Sequence, residues 1–261
     1  ELALQKQLLQ NRLSETKRLL RERDDALQSR DEFLSIASHE LKTPLTSLHL
    51  QLQTMSRALK KPEMSDEAKI ARLGKGLAVC EKQSGKLAAL LDELLDLTRI
   101  RLGKLTLNKE RTDLTAISRD VTERFREEAK RSGSELRHVE GDEPVVGNWD
   151  PTRLDQVVTN LVSNAIKYGN GRPAEIRISK PGGNAARIEI RDEGMGIPPD
   201  MLDKIFQRFE RAVEGDSISG LGLGLYITRQ IVEAHGGAIT VESRVNGGSI
   251  FRVDLPIGEA G

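Results

Sequence analysis

Apolar positions along the first hundred residues recur at helical spacing, and after Gly103 they switch to strand-like alternation. Leu13, Leu20, Leu27 and Leu34 repeat every seven residues in a stretch free of Gly and Pro, which suits one seam of a coiled coil. The complementary positions hold Lys17, Asp24 and Asp31. A solvated single helix therefore competes with a weak parallel dimer that needs the next segment for stability, and the pattern favours the dimer. The helix continues from residue 31 through Phe33, Ile36, Ala37, Leu41, Leu45, Leu48 and Leu52. Residues 61–66, KPEMSD, form a turn in which Pro62 stops the first helix and Ser65 or Asp66 caps the next. The second helix runs to about Ile100, with Ile70, Leu73, Leu77, Leu87, Leu91, Leu94 and Leu97 at helical spacing. Two such helices make an antiparallel hairpin, and one hairpin cannot cover its own apolar face. Two hairpins from two chains make a four-helix bundle, so burial alone predicts a homodimer.

Beyond Gly103, LTLN (105–108), ELRHVE (135–140) and VVGNW (145–149) read as short strands, with helices over 114–131 and 152–168. EIRIS (175–179) and ARIEIRD (186–192) alternate as half-buried strands do. A helix over 222–235 and strands AITVES (238–243) and SIFRVDL (249–255) close the pattern. The predicted fold class is an all-α hairpin with an N-terminal coiled coil, followed by an α+β two-layer sandwich. The boundaries are 1–30 for the coiled-coil helix, 31–103 for the hairpin domain and 104–258 for the sandwich domain.

Composition narrows the picture. The chain has 40 basic and 40 acidic residues, and its zero net charge gives no support for nucleic acid as a partner. Its single cysteine, Cys80, excludes an internal disulfide framework and reads as a small apolar helix residue. No apolar run is long enough to span a membrane; the lone thiol suits a reducing compartment, and a cytoplasmic segment is the expectation. The chain opens at Glu1 without Met and in mid-helix by pattern. It reads as an excised fragment, with an upstream sensor domain or membrane anchor lying outside it.

Several motifs carry candidate chemistry. In DQVVTNLVSNAIKY (155–168), Asn160 and Asn164 share one helix face, with Lys167 and Tyr168 one turn on. Amide oxygens are hard ligands that suit Mg²⁺ beside phosphates, and Lys167 supplies a point charge; alone, a surface helix with two polar residues is the better explanation of the pattern. In DEGMGIP (192–198), Asp192 ends a strand where it can accept from an exocyclic amine, and Gly194 and Gly196 permit a tight turn. In SGLGLGLYI (219–227), Gly220, Gly222 and Gly224 expose backbone N–H groups ahead of a helix, a suitable place for phosphate. Between them, Phe206 and Phe209 pack under a loop, Arg208 and Arg211 are candidates to reach a phosphate, and 212–219 reads as a mobile lid.

These boxes, in this order, resemble the Bergerat-type ATP-binding domain of histidine kinases, a fold shared with gyrase and MutL, over roughly residues 110–257. The resemblance implies ATP held between the asparagine helix and the lid, with Asp192 on adenine. It implies Asn164 as Mg²⁺ ligand with Asn160 as helper, and Lys167, Tyr168 and Arg211 near phosphates. The string FLSIASHELKTPLTSL (33–48) resembles the phosphoacceptor box of the same kinases. There, His39 is the nucleophile and Glu40 accepts its second proton, while Pro44 frees the carbonyl of Glu40 and invites a bend. Thr43, one turn on, resembles the family's phosphatase position.

The hydrolytic relatives carry a Glu where this chain has Asn160, and an amide is no general base. That favours transfer to an imidazole over an ATP-driven machine. The resemblance implies an ATP-dependent protein-histidine kinase of two-component signalling, a homodimer, with a response-regulator receiver domain as partner and phosphatase activity toward it. A non-catalytic scaffold is the reading from another class, and nucleotide binding discriminates it. Of the other histidines, His49 lies on a different, exposed face, His138 sits in a strand, and His235 at a helix C-terminus suits an imidazolium. No cluster has metal-ligand spacing.

Overall fold

In the computed structural model, the helical periodicity of the first hundred residues becomes α1 (Leu2–Leu59) and α2 (Asp66–Arg101). The structure describes residues 2–139, 141, 143–210 and 220–258; before residue 34, side chains are described only for Arg12, residues 15–18, Leu20 and Arg23. The seam positions Leu13 and Leu27 thus lie outside the described side chains, and Leu20 and Leu34 are exposed. Between the helices, Ser65 caps α2 by accepting from the N–H of Ala68 at 3.3 Å. The chain divides into two compact units, Glu1–Leu90 and Leu91–Gly261.

In the first unit, Met55 and Ala58 are buried. Met55 packs on Gly76, where a Cβ would stand 2.5 Å from its sulfur, so the glycine is what lets the thioether reach α2. Leu45, Leu52, Leu59, Ile70 and Leu77 are all more than half exposed. An apolar face of this extent calls for cover.

The second unit contains the end of α2, then β1 (Glu110–Asp113), α3 (Leu114–Arg131), β2 (Leu136–Val139), β3 (Val146–Trp149), α4 (Pro151–Tyr168), β4 (Ala174–Gly182), β5 (Ala185–Asp192), a 3-10 turn (Pro199–Met201), α5 (Gly224–Ala234), β6 (Ala238–Arg244) and β7 (Gly248–Pro256). Five strands form a sheet in the order β2-β4-β5-β7-β6, and β1 pairs with β3 separately. Only β2–β4 is parallel; the remaining pairs are antiparallel. Alternation sets the faces. Ile176, Ile178, Ile188, Ile190 and Val253 are buried under the helices, each worth about 1.5–3 kcal/mol. Their neighbours in sequence are charged and pair across strands, as Arg187 does with Asp254 at 2.7 Å and Arg252 with Glu189 at 2.7 Å. This is the two-layer sandwich that the pattern predicts.

One expected strand is absent. Residues 105–108 are not a strand; the first ladder begins at Glu110. Leu105 and Leu107 alternate because both are half-buried, and the N–H of Asn108 is taken by the carboxylate of Asp150 at 2.8 Å, not by a neighbouring strand.

Candidate active site

The second unit gathers the glycine and asparagine motifs around α4. Asp150 starts this helix, accepting from the N–H of Arg153 at 3.1 Å, and Pro151 follows at a position that needs no donor. Leu154, Val157, Val158, Leu161, Val162 and Ile166 turn inward. That orientation leaves Asn160 and Asn164 half-buried on another face, with Lys167 exposed and Tyr168 half-buried at the helix end. Asn160 Nδ2 donates to Thr228 Oγ1 of α5 at 2.8 Å, and the amide oxygen lies against Gly224, where a Cβ would collide with it. Gly224 therefore allows the first turn of α5 to approach Asn160. Lys167 Nζ lies over the Tyr168 ring at 5.2 Å and 3.5 Å from where a Cβ of Gly220 would stand.

Asp192, at the end of β5, is buried. Its carboxylate accepts from the N–H of Gly194 at 2.8 Å. Burial pushes its pKa above the ordinary value, and hydrogen bonds from the backbone of Gly194 and Ser249 pull it partly back. The loop after it is fixed on both sides. Met195 N–H donates to the Tyr168 carbonyl at 3.2 Å, and a Cβ on Gly194 would strike that same carbonyl. Gly196 adopts φ +70°, with its Cα against the carbonyl of Arg244. The loop thus requires glycine for close approach at one position and for backbone conformation at the other.

Gly220 (φ +146°) and Gly222 (φ +67°) precede α5, which starts at Gly224 without a side-chain cap. The N–H of Phe209 donates to the carbonyl of Gly222 at 3.1 Å, and a Cβ there would lie 2.9 Å from the Phe209 backbone. Asn160, Asn164, Lys167, Tyr168, Asp192, Gly194, Gly196, Gly220, Gly222 and Gly224 thus all fall within this unit. Arg211 and the expected lid at 212–219 lie outside the described residues. Arg208 does not stand ready for a phosphate: its Nη2 donates to the Tyr226 hydroxyl at 3.0 Å and its guanidinium stacks on that ring at 4.9 Å. Phe206 is buried edge-on to Phe251, with centroids 6.5 Å apart.

His235 corrects the sequence reading. It is buried, its Nε2 accepts from the N–H of Asp150 at 3.0 Å, and Nδ1 bonds the Ile231 carbonyl at 2.8 Å. Burial pushes its pKa down, so it is a neutral tie between α5 and α4 and no imidazolium on a dipole. Thr228, which orients Asn160, escapes sequence reasoning. Its only signal is a polar residue on the buried face of α5, beside Ile227, Ile231 and Val232.

In the first unit His39 is exposed on α1, with Glu40 half-buried beside it. Thr43 Oγ1 donates to the His39 carbonyl at 3.1 Å. Pro44 is buried within α1, and the helix runs on through it. His49 is exposed and bonds Gln53 at 2.8 Å on the same helix.

Comparison with known proteins follows the same division. The His Kinase A (phospho-acceptor) domain model matches residues 29–103. The model described as Histidine kinase-, DNA gyrase B-, and HSP90-like ATPase matches residues 149–259. The solved mycobacterial sensor histidine kinase MprB is 31% identical, with a TM-score of 0.50, over 57% of this chain and 98% of that one. The chain belongs to the sensor histidine kinases. Another solved kinase of this family, AdeS of Acinetobacter baumannii, is 26% identical with a TM-score of 0.61 over 85% of this chain and 98% of its own. Sensor protein kinase WalK of Staphylococcus aureus is 31% identical over 239 residues, 90% of this chain but 55% of that protein. The chain thus spans about half the length of that relative. In this chain a helical N-terminal region is followed by the α/β ATPase domain of the family. Among its described residues no helix is long and apolar enough to cross a membrane.

Proposed function

We propose that this chain moves the γ-phosphoryl group of ATP onto His39 and passes it to an aspartate of a response-regulator receiver domain. One imidazole nitrogen forms the new N–P bond as the bond from phosphorus to the ADP oxygen breaks. The proton on the other nitrogen passes toward Glu40, which offsets the positive charge that develops on the ring. His39 is exposed, as a residue that must meet first a phosphoryl donor and then a phosphoryl recipient requires.

The observation that carries this reading is Asn160. Its amide is oriented by Thr228 at the position where hydrolytic relatives hold a general base, so water is not activated there. Asp192 takes the adenine amine, Lys167 and Tyr168 serve the phosphates, a role the family resemblance also gives Arg211, and Gly220, Gly222 and Gly224 offer N–H groups to them. Gly194, Gly222 and Gly224 let neighbouring backbone and the Asn160 side chain pack where a Cβ would collide, which supports a closely built pair of loops around the proposed nucleotide. Amide oxygens of Asn164 and Asn160 suit Mg²⁺, which when bound neutralises charge on the transferring phosphates. Positioning and electrostatics do most of the catalytic work.

The exposed leucines of the α1–α2 hairpin support a homodimer built as a four-helix bundle, with residues 1–30 as a coiled-coil signalling helix. The use of ATP and the likeness to a longer sensor kinase support a cytoplasmic location as part of a longer sensor.

The test incubates the chain and a His39→Gln variant with radiolabelled ATP and Mg²⁺. An acid-labile, alkali-stable label on the parent protein alone is expected. ATP binding without label on either protein would leave a nucleotide-binding scaffold in its place.

A further inference from the structure

Asp96 is buried in the last turns of α2, with its side chain 6% exposed. Its Oδ2 accepts from Arg153 Nη1 at 2.8 Å and from Gln156 Nε2 at 2.7 Å. Arg153 Nη1 also donates to Gln156 Oε1 at 2.8 Å, closing a three-residue ring. Arg99 stands 3.8 Å from the other Asp96 oxygen, and Leu97 beside it is buried. Arg153 and Gln156 lie in the first two turns of α4, the helix that carries Asn160 and Asn164. The same end of α4 holds the connecting segment, through the bond from Asn108 N–H to Asp150.

Although α2 is one helix to Arg101, its residues from Leu91 onward group with the ATP-binding unit. The Asp96 ring is the polar part of that attachment. Its chemistry differs from that of a permanent dock. In a buried ion pair the desolvation of both groups offsets most of their attraction, so the closed pair contributes little net stability, while loss of one partner strands a charge. Opened as a whole, each group recovers its hydration. An apolar contact of the same size would leave exposed hydrocarbon each time it parted.

We propose that the Asp96–Arg153–Gln156 ring is a releasable latch that holds the end of α2 on the nucleotide-binding helix and slows phosphoryl transfer to His39 until it opens. The proposal rests on the kinase reading above. Transfer requires the ATP-binding unit to approach His39 and then withdraw so that a receiver domain can reach the same imidazole. A fixed tie between α4 and the hairpin's second helix restrains both movements. Release hands the motion to residues 102–109, which have no regular structure before β1.

The test uses the full chain with Asp96→Asn, Arg153→Met and the double variant. It measures the initial rate of His39 labelling at saturating Mg·ATP, nucleotide affinity by calorimetry, and amide exchange over 91–109. Each single variant should raise the rate several-fold, leave ATP affinity unchanged and speed exchange over 91–101. The double variant should add nothing, because one ring is broken once. A merely structural role would lower melting temperature and labelling rate together. If the singles fold poorly, the swap of Asp96→Arg with Arg153→Asp should return the parent rate. Labelling no faster than the parent's, whether or not exchange rises, overturns the latch. ATP binding without label on any protein, parent included, overturns the kinase reading itself.

Discussion

The hydroxyl of Thr43 donates to the main-chain carbonyl of His39 at 3.1 Å, one turn back on α1. The bond ties the candidate phosphatase residue to the backbone of the proposed phosphoacceptor while leaving the imidazole untouched. Thr43 is exposed, so deleting its hydroxyl opens no cavity. Thr43→Ala should keep His39 labelling and lose dephosphorylation of the receiver aspartate, and Thr43→Ser should keep both. Phosphate release from a phosphorylated receiver domain checks this. Equal release rates for the parent protein and Thr43→Ala reject the phosphatase assignment.

Gly224 is the second position with a sharp expectation. A Cβ there would run into the Asn160 amide, whose other end is held by Thr228. Gly224→Ala must displace Asn160 or shift α5. Overpacking of this kind costs roughly 1–3 kcal/mol. The loss should appear as weaker Mg·ATP binding by calorimetry, larger than the effect of Gly74→Ala on α2, where a Cβ meets nothing within 4 Å. Indistinguishable affinities for the two variants would remove Asn160 from the nucleotide site.

Most of this arrangement is readable before any coordinates, and the exceptions have physical causes. The period-two alternation of residues 186–192 identifies β5 because one face is buried and the other is paired charge. The alternation of Leu105 and Leu107 misleads, since two half-buried leucines need no partner strand. The asparagine and glycine boxes stand out by occurring together in one order, since each alone also suits a surface helix or an ordinary turn. Asp96 does not stand out. In LLDELLDL it is one of three acids at helical spacing, with Asp92 and Glu93, and only the position of Arg153 far along the chain selects it. His235 fails for a similar reason: a helix C-terminus looks solvated in sequence, and the burial that makes the ring neutral comes from α4 packing across it.

Asp192, the proposed adenine contact, is a buried carboxylate. Its raised pKa means that the folded chain binds this proton more readily than the unfolded chain does. The ionised form is therefore a cost to stability at neutral pH, relieved as pH falls through the raised folded value. Asp192→Asn removes that cost and also weakens the acceptor for an adenine amine. Without nucleotide, its melting temperature should match or exceed the parent's. ATP affinity should fall by roughly tenfold or more, the loss of a hydrogen bond to a charged group being worth about 1.5–3 kcal/mol. Parallel losses in both measurements would mean that the carboxylate supports only the fold.

The buried, neutral His235 predicts a pH dependence for the same domain. Its Nε2 accepts from the N–H of Asp150, which starts α4, and its Nδ1 faces the Ile231 carbonyl. This arrangement requires the neutral ring protonated at Nδ1. Desolvation lowers its pKa below the ordinary 6.5, and Lys109 acts in the same direction; the bond to Ile231 and the charge of Asp150 oppose them. The unfolded chain therefore takes up the proton first. The stabilisation is present in full above the unfolded value and is lost as pH falls through it toward the lower folded value. Protonation also ends the acceptor role of Nε2 and leaves the Asp150 N–H unpaired, at about 1–3 kcal/mol. The melting temperature of the isolated second unit's transition should fall between about pH 8 and about pH 5. His235→Gln should start lower at the upper end and lose less across the range, because its side chain does not titrate. Superimposable slopes for the two proteins would show that acid sensitivity arises elsewhere and that the His235–Asp150 bond does not govern it.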